Sequence, residues 1–113
     1  MHEMTIAASI LDIIKETASN YNFKQIKEVR LEIGVLSGVE IESLTFCLDV
    51  ILKDSIAAKA KIIWERPLGR GRCLKCDEIV PIESFYDSCN QCGNYSLQII
   101  SGNEMRVKDL LIE

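Results

Sequence analysis

Four of the five cysteines in this 113-residue chain stand in two pairs of one spacing. They are Cys73-Leu74-Lys75-Cys76 and Cys89-Asn90-Gln91-Cys92, with twelve residues between the pairs. A CxxC pair can hold two sulfurs on one side of a tight turn. Two such pairs supply the four thiolates of a closed, tetrahedral Zn²⁺ site. Two disulfides, or one redox-active CxxC, are the alternatives for the same residues. Cys47 has no such partner and reads as a small buried apolar residue.

A second chemistry sits at the start of the chain, which opens Met1-His2-Glu3. His2 is the only histidine, and a lone terminal histidine is usually a solvated side chain. Its position widens what it can do. The α-amine, the main-chain nitrogens of residues 2 and 3 and the imidazole can all approach one ion. Deprotonated backbone nitrogens with imidazole suit a square-planar site for Ni²⁺ or Cu²⁺, not a structural Zn²⁺. Such a site is small and exposed, so it can accept and release its ion. Protons compete for the same nitrogens, so binding weakens as pH falls.

The elements that must position these residues follow from the hydrophobic pattern. Ile6, Ile10, Ile13 and Ile14, with Ala7 and Ala18, recur at helical spacing and predict a helix from Thr5 to about Asn20. Val29, Leu31 and Ile33 alternate with Glu28, Arg30 and Glu32, the period of a half-buried strand over 25–33. Ser37 and Glu40 have the spacing of a capping box, and Leu36 and Ile41 that of a hydrophobic staple. This predicts a second helix to about Lys53, with Ile41, Leu44, Leu48 and Ile51 on its apolar stripe. A second strand is expected over 60–65. Arg66 to Arg72 holds three arginines, two glycines and a proline, and reads as a linker. The cysteine module, about 72–95, is too short to fold on buried area alone and depends on its metal.

Short strands are expected at Leu97–Ile100 and Met105–Ile112. In the second, a bulge near Lys108-Asp109 would restore the apolar residues to one face. Both are expected to return to the sheet of residues 25–33 and 60–65. The expected fold is therefore α+β: two helices packed on a small mixed β-sheet, with an inserted four-cysteine, zinc-ribbon-like module. The domain division is 1–66 with 96–113 as the α/β domain, and 67–95 as the zinc-binding module with its linker.

Composition narrows the function classes. Apolar residues make up 48% of the chain and charged residues 27%, ordinary values for a globular protein. The net charge of −4 weighs against a nucleic-acid binder, which is more often basic. No apolar run approaches the roughly 20 residues that span a bilayer. No secretory signal is visible, and unpaired CxxC thiols favour a reducing cytoplasm. There is no Ser/His/Asp set and no Gly-rich phosphate loop. The reading is a binding and delivery protein, not an enzyme, with a zinc-ribbon nucleic-acid-binding or transcription-associated module as the alternative.

The combination of motifs resembles the HypA/HybF family of nickel metallochaperones for hydrogenase maturation. The residues that carry the resemblance are Met1-His2-Glu3, Val29-Arg30-Leu31-Glu32-Ile33-Gly34, Leu36-Ser37-Gly38-Val39, the two CxxC pairs and Gly102-Asn103-Glu104-Met105-Arg106-Val107-Lys108. The resemblance covers essentially the whole chain. It implies delivery of Ni²⁺ to the large subunit of [NiFe]-hydrogenase, in company with a nickel-handling GTPase, HypB. The chain itself is expected to be a monomer or homodimer, a choice its sequence leaves open. It implies His2 as the imidazole ligand of nickel, Met1 and Glu3 as contributors of main-chain nitrogen, and Glu40 as an acidic residue at the second helix that can join them. Cys73, Cys76, Cys89 and Cys92 are implied as structural zinc ligands. Some relatives recruit a second histidine from the zinc module, and this chain has none. Its fourth nickel ligand is therefore open between the Met1 amine, a carboxylate and water.

Overall fold

The computed structural model describes residues 2–22 and 24–113. The Met1 contribution to a nickel site thus lies outside the described residues. By density of contact the chain forms two compact units. The first holds Met1–Leu31, Val39–Trp64 and Val107–Glu113, and the second Glu32–Gly38 and Glu65–Arg106.

In the first unit, helix α1 (Glu3–Tyr21) buries Ala7, Ile10 and Ile14, the face its periodicity predicts. Ile13, expected on the same stripe, is 43% exposed. The helix stops at Asn22, which adopts a left-handed conformation (φ 55°) and returns its N–H to the Ala18 carbonyl. Asparagine tolerates that conformation better than most residues. Helix α2 (Ile41–Ile51) buries Leu44 and Leu48 and packs on α1. Cys47 on this helix is half-buried.

The start of α2 departs from expectation. Ser37 does not cap it. Gly38 takes a left-handed φ of 77°, and the N–H of Ser37 closes a turn onto the Gly34 carbonyl. The N-cap is Glu40, whose own Oε1 accepts from the Glu42 N–H at 3.2 Å. Leu36, expected to staple onto Ile41, is found with Cys73, Val80, Ile82 and Cys89 in the apolar cluster of the second unit.

Strands β1 (Ile26–Ile33), β2 (Lys61–Glu65) and β6 (Met105–Ile112) form one sheet in the order β2-β1-β6. Their flanking hydrogen bonds give the directions. Ile26 N–H reaches the Ile56 carbonyl before both β1 and β2, and Val35 N–H reaches the Pro67 carbonyl after both, so these strands run parallel. Glu113 N–H pairs with the Gln25 carbonyl, and Gly34 N–H with the Glu104 carbonyl, so β6 runs antiparallel to β1. The sheet is mixed, as its connections require. Val29, Leu31 and Ile33 are all buried, as their alternation predicts. In β6 the half-buried residues are Val107 and Leu110, three apart, so strict alternation fails across Lys108-Asp109.

The second unit holds the other sheet, in the order β4-β3-β5, from β3 (Arg70–Cys73), β4 (Ile79–Pro81) and β5 (Leu97–Ser101). Two expectations are corrected here. The arginine-rich stretch is not linker throughout, since Arg70–Cys73 is the central strand. And β5 does not return to the helix-bearing sheet. It pairs antiparallel with β3, with Gly71 opposite Ile99 and Cys73 opposite Leu97. Gly71 permits this, because a Cβ there would already lie 3.3 Å from Leu97 Cβ. Glu32 is buried in this unit and accepts from Arg106 Nε at 2.8 Å, which compensates its desolvation.

Candidate metal centre

The two CxxC turns are built to one plan. The Cys73 N–H donates to the Glu78 carbonyl, and the Asp77 N–H returns to the Cys73 carbonyl, both at 2.9 Å. Sixteen residues on, the Cys89 N–H donates to the Asn94 carbonyl at 2.7 Å, and the Gly93 N–H returns to the Cys89 carbonyl at 2.8 Å. The residue after each second cysteine is left-handed: Asp77 at φ 63° and Gly93 at φ 76°. That conformation turns the chain back after the second sulfur. A further bond, from the Leu74 N–H to the Ser96 carbonyl at 2.9 Å, ties the first turn to the segment leaving the second.

This plan brings all four sulfurs within 4.8 Å of one another. Cys73 and Cys92 Sγ stand 3.5 Å apart, and Cys76 and Cys89 Sγ 3.7 Å apart. A metal–sulfur bond of about 2.3 Å puts tetrahedral sulfurs about 3.8 Å from each other, so the set fits one Zn²⁺. A disulfide needs about 2.05 Å, and all five cysteines are free thiols. The first cysteine of each pair, Cys73 and Cys89, is buried, and the second, Cys76 and Cys92, is exposed.

The thiol acidities point the same way. The main-chain hydrogen bond at Cys76 holds Cys73 down to about 6, against the opposing effect of burial. Cys89 is lowered by the main-chain hydrogen bond at Cys92. Cys76 is pushed up to about 12. Its main-chain hydrogen bond at Glu78 lowers it, but desolvation of the sulfur among its neighbours and the other three thiols outweigh that. Cys92 is raised too: the hydrogen bond at Asn94 lowers it, and the Cys73 thiol with desolvation of the sulfur overcomes this. Four thiols at this spacing oppose one another's ionisation, and a divalent cation among them would let all four be thiolates.

Sequence reasoning missed the turn that follows the first pair. Asp87 accepts from the Glu83 N–H at 2.7 Å, the Ser84 N–H at 3.4 Å and the Ser84 hydroxyl at 2.9 Å. The Glu83 bond, with help from Ser84, lowers its carboxyl below the ordinary range. The Ser84-Phe85-Tyr86-Asp87 spacing was the available signal for this turn.

At the other candidate site, His2 is exposed and is the N-cap of α1. Its carbonyl accepts from the Ile6 N–H at 3.2 Å, while its imidazole makes no capping bond. Glu3 is the first residue of α1, and its Oε2 accepts from the Glu40 N–H at 3.2 Å. The structure thus brings Glu3 to Glu40 across 37 residues of sequence. Among the described residues, the side chains of His2, Glu3 and Glu40 do not converge into a ligand cluster as the four cysteines do. No helix among the described residues is long and apolar enough to cross a membrane.

Comparison with known proteins gives consistent results. A family model described as "Hydrogenase/urease nickel incorporation, metallochaperone, hypA" matches residues 1–112. A "Hydrogenase maturation factor HypA" of Azoarcus sp. (strain BH72) is 46% identical over 112 residues, covering 99% of this chain and 98% of that protein. One from Azotobacter chroococcum mcd 1 is also 46% identical, with both chains covered in full. Among solved structures, the solution structure of the Ni metallochaperone HypA from Helicobacter pylori superposes with a TM-score of 0.73 at 22% identity. That match covers 99% of this chain and 97% of the other, and it establishes likeness of fold.

Proposed function

Because this chain belongs to the HypA family of hydrogenase and urease nickel-incorporation metallochaperones, we propose that it binds Ni²⁺ at its N-terminus and delivers it to the large subunit of [NiFe]-hydrogenase. The family is non-catalytic, so the chain is a carrier and not an enzyme. Ni²⁺ is its cargo. The ligands in this reading are the His2 imidazole and the main-chain nitrogens of residues 2 and 3, with Met1 completing the N-terminal tripeptide and Glu40 close by. Nucleotide hydrolysis comes from a partner, the GTPase HypB, in the cytoplasm.

One observation supports this reading most directly. His2 caps α1 with its carbonyl only, which leaves the imidazole in solvent. The first N–H groups of a helix have no partner within it, so the helix makes no use of the nitrogens of residues 2 and 3. Nickel can therefore take them without unwinding a turn. Nitrogen ligands with imidazole also suit Ni²⁺.

Zn²⁺ is the resident metal in this proposal, held by Cys73, Cys76, Cys89 and Cys92 as a structural site. It supplies the positive charge that lets four neighbouring thiolates coexist. The protein's part is to present them, through the two matching turns and the N–H groups of Cys76 and Gln91, which donate to Cys73 and Cys89 sulfurs at 3.5 and 3.4 Å. The nickel-binding role belongs to the helix-bearing unit, and the zinc role to the unit that holds β3, β4 and β5.

The test is a nickel titration of protein with a native, untagged N-terminus, set against His2→Ala. The expected result is one Ni²⁺ bound by the wild type, little or none by His2→Ala, and equal zinc in both. Equal nickel binding by the two proteins would defeat the proposal.

A further inference from the structure

Side chains along a strand point alternately to the two faces of its sheet. Along β3, Gly71 and Cys73 are buried, whereas Arg70 and Arg72 are exposed. The register carries both faces onto the neighbouring strands. Val80 and Ile99 stand on either side of Gly71, on the buried face. On the outer face, Ile79 and Gln98 flank Arg72, and Pro81 and Ser101 flank Arg70. The second unit has no helix among its described residues to lay on this face, and Ile79 is 48% exposed. Two guanidiniums thus stand in solvent at the centre of the outer face, with an isoleucine and a proline beside them. Their internal partners are weak. Arg72 Nε meets Asp77 Oδ1 at 3.9 Å, on a side chain that is 88% exposed. So long and exposed an ion pair contributes little, and an incoming carboxylate can replace it. Arg70 donates through Nε to the Ser101 hydroxyl at 3.3 Å, which puts no charge opposite it.

We propose that the outer face of the second sheet docks an acidic, extended segment of a partner protein, with carboxylates two residues apart seated on Arg70 and Arg72. A strand rises about 3.3 Å per residue, so alternate side chains stand about 7 Å apart on the protein and on an extended partner alike. Each guanidinium offers a planar fork of donors that takes a carboxylate by two bonds. Ile79 and Pro81 supply apolar surface to cover beside them. The charge pattern favours a short acidic peptide over a nucleic acid. From Asp77 to Met105 the chain carries Asp77, Glu78, Glu83, Asp87 and Glu104, and no lysine, arginine or histidine. A long polyanion needs a basic track to follow, and beyond β3 and the first CxxC pair it meets carboxylates instead. This docking is separate from the N-terminal nickel reading and stands without it.

The probes are short capped peptides of alternating glutamate and threonine, the same peptide with lysine in place of glutamate, and a single-stranded RNA oligonucleotide. Each is titrated into the zinc-loaded full chain while backbone amide signals are followed by NMR. The glutamate peptide is expected to shift the amides of β3, β4 and β5, Arg72, Ile79 and Gln98 among them, and the lysine peptide to leave them in place. Arg70→Gln and Arg72→Gln should each weaken binding of the glutamate peptide by about two- to fivefold, the order of one exposed ion pair. Lys61→Gln, which removes an exposed charge from β2, should leave it unchanged. Joint Arg70→Glu and Arg72→Glu substitution should abolish binding of the glutamate peptide and confer binding of the lysine peptide. No shift with the glutamate peptide at millimolar concentration would overturn the proposal, and so would equal shifts with both peptides. Equal weakening by Lys61→Gln would reduce the effect to net charge and overturn it too. RNA that binds through Arg70 and Arg72 where the glutamate peptide does not would make this a nucleic-acid face instead. Should the doubly substituted protein fail to fold, the wild-type shift map and the two glutamine variants still decide the matter.

Discussion

Gly93 and Gly102 have in common a positive φ, 76° and 102°, and differ in everything around them. A Cβ on Gly93 would meet nothing within 4 Å, so only its backbone conformation opposes substitution. A Cβ on Gly102 would lie 2.6 Å from the Gly69 Cα, where two backbones cross with no side chain between them. The Leu36 N–H also holds the Gly102 carbonyl at 2.6 Å, so neither segment can retreat. Gly93→Ala is therefore expected to cost about 1–2 kcal/mol, the strain of a left-handed residue with a side chain. Gly102→Ala should cost about 3 kcal/mol or more, because strain and steric overlap add. Denaturant titration of the zinc-loaded proteins checks the order, and equal losses would contradict it. The four cysteines were legible because their spacing alone states the chemistry. The left-handed Asp77 was not, since aspartate can adopt many conformations. Nor was the Glu3–Glu40 contact, which exists only once α1 and α2 have packed.

At the scale of elements, the helices rest on a few fully buried side chains. Leu44 of α2 is wholly buried, whereas Phe46 on the same helix is 67% exposed. Leu44→Ala is expected to destabilise by about 2–5 kcal/mol, through lost burial and the cavity left behind. Phe46→Ala should fall within about 0.5 kcal/mol of wild type, as exposed substitutions usually do. Thermal and denaturant unfolding of the pair decides this, and a large loss from Phe46→Ala would mean that its ring is covered. Helix α1 and strand β1 could be read from sequence because their apolar residues keep one period over several turns or alternations. The start of α2 could not. Ser37 and Glu40 fit a capping box by spacing, but Gly38 takes the left-handed conformation and the helix begins after it. Strand β5 was recognisable as a strand and misassigned as to sheet. Five residues of mixed polarity carry no mark of their neighbour, and the glycine that admits β5, Gly71, lies on another strand.

For the whole molecule, the two units differ in what holds them. The first buries residues from two helices and a central strand. The buried cluster of the second has five members, and two of them, Cys73 and Cys89, belong to the sulfur cage. Removing a metal held by these sulfurs would take cohesion from the second unit, and among the described residues the first unit has no such cage. Chelation of the zinc-loaded protein is thus expected to abolish amide protection in β3, β4 and β5 while α1 and α2 keep most of theirs. Hydrogen exchange measured strand by strand tests this, and uniform loss along the chain would count against it. The assignment of Glu32–Gly38 to the second unit was hidden from sequence reasoning, since Leu36 reads there as the partner of Ile41. The direction of β6 bears on how the chain folds as it is made. Strand β1 needs β6 as its antiparallel neighbour, and β6 follows every other element described. A nascent chain therefore carries one open edge of β1 until all the other elements have been made. Completing the sheet waits on β6 leaving the ribosome, so the early strand stays exposed to chance pairing until its distant neighbour arrives.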